Sequence, residues 1–181
     1  MKRILVDMDD TVASMLKGLC AEANLYFDLS LQPEDFVNWD FYKCPAVVDV
    51  ITPKKLWSVA AKEGFYQRLL PIPNAVEILS DMAKTYEIVF VSSPLPDSPT
   101  CVFDKEAWLV AYMHFPYKTI FTRYKYMVQG DLLIDDGGHN VEEWDGPALI
   151  KDSPHNQYLV KENTLRFSDW KKVPSLIKAL I

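Results

Sequence analysis

Residues 4–11 read Ile4-Leu5-Val6-Asp7-Met8-Asp9-Asp10-Thr11. A short, partly β-branched apolar run that stops abruptly at carboxylates has the form of a strand buried on both faces of a parallel sheet. Two later runs repeat it: Ile88-Val89-Phe90-Val91 stops at Ser92-Ser93, and Leu132-Leu133-Ile134 stops at Asp135-Asp136. Thr119-Ile120-Phe121 and Ala148-Leu149-Ile150 are further strand candidates. Between these runs the apolar spacing becomes helical. Val12, Met15, Leu16, Leu19, Cys20 and Ala23 share one helix face, with Asp10 or Thr11 as the cap. Pro73 fits the first turn of a second helix carrying Val76, Leu79, Met82 and Ala83, and a third is expected over about 103–114. Ser168-Asp169 would cap a last helix with Val173, Leu176, Ile177 and Leu180 inward. The alternation predicts an α/β fold, a Rossmann-like parallel sheet with helices on both faces, which binds ligands beyond the carboxyl ends of its strands.

Residues 28–70 break the alternation. They hold no clear strand and one short helix, over 53–62, yet are rich in aromatics: Phe36, Trp39, Phe41, Tyr42, Trp57, Phe65 and Tyr66. A structureless loop of this length is uncommon in a compact domain, so a small, mainly helical cap is expected there. The reading is a core of residues 1–27 and 71–181 with a cap of residues 28–70 inserted after the first strand and its helix.

The 181 residues suit one domain, and 49% apolar with 24% charged residues is an ordinary globular mixture. Twenty-five acidic against nineteen basic residues leave a net charge of -6, which disfavours binding a nucleic acid polymer. A small anionic substrate then needs a metal ion or local cations. Cys20, Cys44 and Cys101 have neither zinc-ribbon spacing nor a disulfide framework. No signal-peptide core or run of roughly 20 apolar residues is present, so a cytoplasmic protein without a membrane partner is expected. Dimerisation is left open.

Nucleotide-cofactor, P-loop, serine-hydrolase and zincin motifs are absent. What remains is carboxylates at strand ends. A parallel sheet would bring Asp7, Asp9 and Asp10 to the same edge as Asp135 and Asp136, where a hard divalent cation with oxygen ligands, Mg2+ in the presence of a phosphate, relieves their repulsion. Ser92 adds a hydroxyl and Lys125 a point charge for phosphate oxygens. Each feature alone has a plainer reading, Asp-x-Asp as a turn and helix cap and Lys125 as a solvated charge; their order along the chain argues for a phosphoryl-transfer site.

Asp7-x-Asp9-x-Thr11, Ser92, Lys125 and Asp135-Asp136 together resemble the four motifs of the haloacid dehalogenase (HAD) superfamily of aspartate-nucleophile phosphatases. With Gly64-Phe65, Pro71-Ile72-Pro73, Ser92-Ser93-Pro94-Leu95, Thr122-Arg123-x-Lys125, the run from Gly130 to Asp136 and His155-Asn156-Gln157, the chain resembles the 5'(3')-deoxyribonucleotidase family over nearly its whole length. The resemblance implies a HAD-like core and an Mg2+-dependent hydrolysis of deoxyribonucleoside 5'- or 3'-monophosphates. Asp7 would be the nucleophile that forms an aspartyl phosphate, and Asp9 the general acid and base. Asp7, the backbone carbonyl of Asp9, and Asp135 or Asp136 would hold Mg2+, with Ser92, Ser93, Lys125 and Lys105 at the phosphate. Trp39, Phe41, Trp57 and Phe65 would line the base and sugar pocket, or form the cap's own small core. Asp10 stands where the family commonly has glycine, and Pro96-Asp97 where it has a basic residue; His155-Asn156-Gln157 is expected to hydrogen-bond structurally. The rival readings are a phosphatase of the same superfamily acting on another small metabolite, and a phospho-accepting signalling module, against which the acid two positions after Asp7 argues.

Overall fold

A computed structural model describes all 181 residues. The chain runs β1 (Arg3–Val6), α1 (Met15–Phe27), α2 (Pro45–Val48), α3 (Pro53–Ala60), α4 (Ala75–Met82), β2 (Glu87–Ser92), α5 (Cys101–Tyr112), β3 (Lys118–Phe121), β4 (Leu132–Asp135), α6 (Gly138–Glu143), β5 (Ala148–Lys151), β6 (Thr164–Phe167) and α7 (Val173–Leu180), with short 3-10 turns between. The six strands form one sheet in the order β3-β2-β1-β4-β5-β6, parallel throughout. This is the doubly wound Rossmann order, in which the direction of winding reverses between β1 and β4.

Side chains alternate across the sheet as the pleat requires. Ile4, Val6, Ile88, Phe90, Leu132, Ile134 and Leu149 enter a large core with α1, α4, α5 and α7. Leu5, Val89, Val91, Leu133, Ala148 and Ile150 face a smaller cluster closed by Val141 of α6 with Trp144 and Leu159. Helices therefore lie on both faces, but unequally. Burial of the central strands on both sides explains their unbroken apolar runs.

Residues 28–70 contain α2, α3 and 3-10 turns at Pro33–Asp35, Phe41–Lys43 and Tyr66–Arg68, and no strand. Their apolar side chains, among them Phe36, Val47, Leu56 and Val59, pack continuously with the α1 face of the sheet. The Asn24 amide exchanges two hydrogen bonds with the Leu31 backbone. From α5, Asp104 accepts the Gly64 N–H at 2.8 Å and Trp108 donates its indole N–H to the Leu69 carbonyl at 2.8 Å.

Three local readings need correction. Helix α1 begins at Met15, not Val12, because residues 8–13 turn tightly, with the Val12 and Ala13 N–H groups both donating to the Met8 carbonyl. Asp10 still caps α1: its carboxylate accepts the Leu16 N–H at 3.0 and 3.1 Å. Pro73 precedes α4 by two residues, and Asn74, left-handed at φ 66°, is the residue that leads into the helix. Strand β6 was not foreseen.

Candidate active site

The fold delivers the site. Ser92 ends β2, Asp7 follows β1 and Asp135 ends β4, and these three strands are neighbours, so the three side chains share the sheet's carboxyl edge beside the winding reversal. The Asp7 N–H donates to the Ile134 carbonyl at 2.9 Å, extending the ladder by one residue and fixing the Asp7 backbone. Oxygens of Asp7, Asp135 and Asp136 come within 4.8 Å of one another, all three residues being buried. Opposite oxygens in an octahedral Mg2+ shell at about 2.1 Å stand roughly 4 Å apart, so this all-oxygen donor set fits a hard divalent cation after a small contraction.

Burial and like charges act together on the cluster. Burial holds the Asp7 carboxyl well above the usual carboxylate range; Lys125 opposes this, while Asp135, Asp136 and Asp9 add to it. Lys125 Nζ lies 2.5 Å from Asp7 Oδ1 and 2.7 Å from Asp135 Oδ2. Burial disfavours its charge, but Asp135 and Asp7 outweigh that and raise its pKa. The second Asp135 oxygen accepts the Gly137 N–H at 2.7 Å and the Asn140 amide at 3.1 Å. Asp135 thus lies under the site with both oxygens engaged, whereas Asp7 and Asp136 face the cavity.

Asp9 is held from the other side. Lys105, enclosed in the interior, directs its ammonium at Asp9 Oδ2 (2.7 Å), Ser92 Oγ (2.8 Å) and the Ser93 carbonyl (2.9 Å). All three donors are engaged, so Lys105 ties Asp9 to the end of β2. The other Asp9 oxygen is buried without a partner, an unsatisfied acceptor next to the cavity. Ser93 Oγ donates to the Thr122 carbonyl at 3.2 Å. Asp10 adopts φ 50°, the left-handed region where glycine is the usual choice; its helix-capping bonds to Leu16 offset the strain. Burial, followed by the Asp136 charge, raises the Asp10 carboxyl as well.

A cavity of about 360 Å3 opens over these groups, its far wall formed by Trp39, Phe41, Trp57 and Tyr66. Phe41 and Trp57 stack with ring centres 4.6 Å apart and planes within 2°. Trp39, 48% exposed, packs on His139 at 4.6 Å and edge-on to His155 at 5.1 Å. Phe65, expected in this wall, is turned into the core in edge contact with Tyr66, and Tyr66 lines the cavity in its place. His139, Asn140 and Arg123 also line it without having been singled out as site residues; Arg123 lies two positions before the expected Lys125, but nothing in the sequence marked the first turn of α6. His114 is exposed, the cysteines are free and buried, and no helix is long and apolar enough to cross a membrane.

Known proteins resemble this chain to different depths. The chain superposes on a haloacid dehalogenase-like family hydrolase from Xanthomonas campestris with a TM-score of 0.62 at 11% identity, covering 99% of this chain and 96% of that one. A HAD-hydrolase from Bacillus subtilis, described as bound to magnesium, gives 0.60 at 11% identity over 97% and 98%. These likenesses establish the HAD-like α/β fold. In sequence, the chain is 27% identical over 175 residues to a 5'(3')-deoxyribonucleotidase of Bacillus subtilis, spanning 95% of this chain and 96% of the relative; a 5'(3')-deoxyribonucleotidase of Bacillus phage SPbeta matches to the same degree. The family model for the 5' nucleotidase, deoxy (pyrimidine), cytosolic type C protein (NT5C) matches residues 1–180, from the first strand to the last helix, and this HAD-fold phosphatase chain belongs to that family.

Proposed function

We propose that the chain hydrolyses deoxyribonucleoside 5'-monophosphates, and 3'-monophosphates in the same site, to nucleoside and phosphate through an aspartyl phosphate on Asp7. The observation that carries this reading is the division of labour two residues apart: Asp7 faces Asp136 across the switch point, while Asp9 is held away from that cluster by Lys105. A carboxylate oxygen of Asp7 attacks phosphorus, the bond to the nucleoside oxygen breaks, and Asp9 donates a proton to that oxygen. Asp9 then takes a proton from the water that attacks the phosphoenzyme, releasing phosphate and restoring Asp7. Asp7, Asp136 and the Asp9 carbonyl, with Asp135 beneath them, would hold Mg2+, which when bound would supply charge neutralisation at the phosphoryl oxygens. Lys125, set between Asp7 and Asp135, orients the nucleophile and partly offsets the burial that opposes its ionisation, and Ser92 and Ser93 offer groups at the end of β2 to the equatorial oxygens.

Residues 28–70 act as the cap. The cavity falls in the size range of small-ligand sites, and the Phe41–Trp57 pair with Trp39 presents flat apolar surface to a base while the acidic edge takes the phosphate end. Tyr66, and not Phe65, completes that wall. A steady-state panel of dUMP, dTMP, UMP and a sugar phosphate, run with Mg2+ and again with a chelator, tests the reading. Turnover should require Mg2+ and favour the deoxynucleotides; preference for the sugar phosphate would reassign the substrate, and full activity in chelator would remove the metal.

A further inference from the structure

The chemistry described above leaves His155-Asn156 and strand β6 without a role. They meet behind Asp136. Asn156, fully buried, donates its amide to the Asp136 carbonyl at 2.7 Å and to the Lys151 carbonyl at 2.7 Å. Its amide oxygen accepts the Ser153 N–H at 3.3 Å and the Arg166 guanidinium at 2.7 Å. The donors and acceptor of this side chain are therefore all engaged, which fixes its orientation. The neighbouring His155 places Nε2 3.0 Å from Asp136 Oδ2, out of line for a hydrogen bond but close enough to restrict the carboxylate. A single 3-10 turn, Pro154–Asn156, thus holds Asp136 at both its backbone and its side chain.

Arg166 of β6 locks that turn. One guanidinium nitrogen donates to Asp152 Oδ1 at 2.9 Å and Asn156 Oδ1 at 2.7 Å, the other to the carbonyls of Asn156 at 3.0 Å and Leu159 at 3.3 Å. Four acceptors on one planar fork exceed what a lysine ammonium, with three donors on a flexible stem, can serve at once. Arg166 touches neither the cavity nor any of the three carboxylates.

We infer that Arg166 is a positioning residue for divalent-cation binding, acting through Asn156 on Asp136. Residues that orient a ligand carboxylate contribute about 10- to 100-fold to metal affinity when removed. The inference rests on the proposed Mg2+ site, and calorimetric titration of the 181-residue chain with Mg2+ separates the two. Arg166→Met should weaken Mg2+ binding by about 10- to 100-fold, and Arg166→Lys by less, in protein that remains folded by circular dichroism. Leu165→Ala, which loosens the same strand from the opposite face, should leave Mg2+ affinity within about twofold of the parent; an equal loss there would make the Arg166 effect one of general stability and overturn the inference. Parental affinity in folded Arg166→Lys and Arg166→Met would overturn it too, with the metal site standing. A parent chain that binds no Mg2+ would remove both. Should Arg166→Met not fold, the comparison of Arg166→Lys with Leu165→Ala decides.

Discussion

The two sides of the cavity are built differently. On the sheet side, polar groups are locked in place: Lys125 spans Asp7 and Asp135, Lys105 spans Asp9 and Ser92, and Gly137, Asn140 and Asn156 pin the Asp135-Asp136 pair. On the side of residues 28–70, Trp39, Phe41 and Trp57 are placed by ring stacking and apolar packing, and Trp39 is half exposed. Hydrogen bonds to charged groups fix atoms to a few tenths of an ångström, whereas stacking is broad in geometry. Under the function proposed above, chemistry resides on the rigid side and selectivity on the adaptable one, and each of the following substitutions bears on that division.

The largest effect is expected at Asp7. Asp7→Asn should lower turnover of both dUMP and p-nitrophenyl phosphate by at least about 10^4-fold, with circular dichroism unchanged because the substitution keeps the shape of the side chain. Measurable turnover near the parent rate would take the nucleophile away from Asp7. Asp9→Asn comes next, a loss of about 10^2- to 10^4-fold that falls on kcat, since proton transfer belongs to the transition state. A change confined to KM would leave Asp9 a binding group.

Much of the rigid side was legible in the sequence, and the reason is physical. Strands β1, β2 and β4 are central, so both faces are apolar and each ends where the chain leaves the core, which is where Asp7, Ser92 and Asp135 stand. Strand β6 lies at the sheet edge and reads Thr164-Leu165-Arg166-Phe167, half polar, with no run to betray it. The aromatics of residues 28–70 were countable but not orientable. Phe65 and Tyr66 are adjacent, and the 3-10 turn that begins at Tyr66 sends one ring into the core and the other to the cavity. Composition cannot distinguish them; only the tie from Gly64 to Asp104 and that from Leu69 to Trp108 settle how this strap lies.

The adaptable wall should yield smaller and more selective effects. Stacking of a base on an aromatic ring is worth about 1–3 kcal/mol by alanine substitution, so Trp39→Ala or Trp57→Ala should lower kcat/KM for dUMP by about 10- to 100-fold. Turnover of p-nitrophenyl phosphate should stay within about twofold. Phe65→Leu, a core substitution, should lower stability by about 1 kcal/mol and leave the ratio of the two substrates unchanged. Equal losses on both substrates for Trp39→Ala would dissolve the distinction between the two sides.

The mildest expected effect is a pH dependence of stability. Asp7 and Asp10 have folded-state pKa values raised above the ordinary 3.8, chiefly by burial. Between that value and the folded one, the native state binds more protons than the unfolded chain, so stability is highest in acid and is lost as pH rises through the window. Lys125 is raised above its ordinary 10.5; its contribution is complete below that pH and does not change between pH 5 and 8. A divalent cation that binds ionised Asp7 removes the penalty this carboxylate imposes at neutral pH, and its binding releases the proton that Asp7 holds in acid. The rise in Tm on adding Mg2+ should therefore be larger at pH 8 than at pH 5. At 100 times Kd the ligand contributes about 2.7 kcal/mol, or roughly 5–10 °C for a chain of this size. Equal rises at both pH values would mean that Asp7 is already ionised at pH 5, and that the Lys125 contact outweighs burial at the nucleophile.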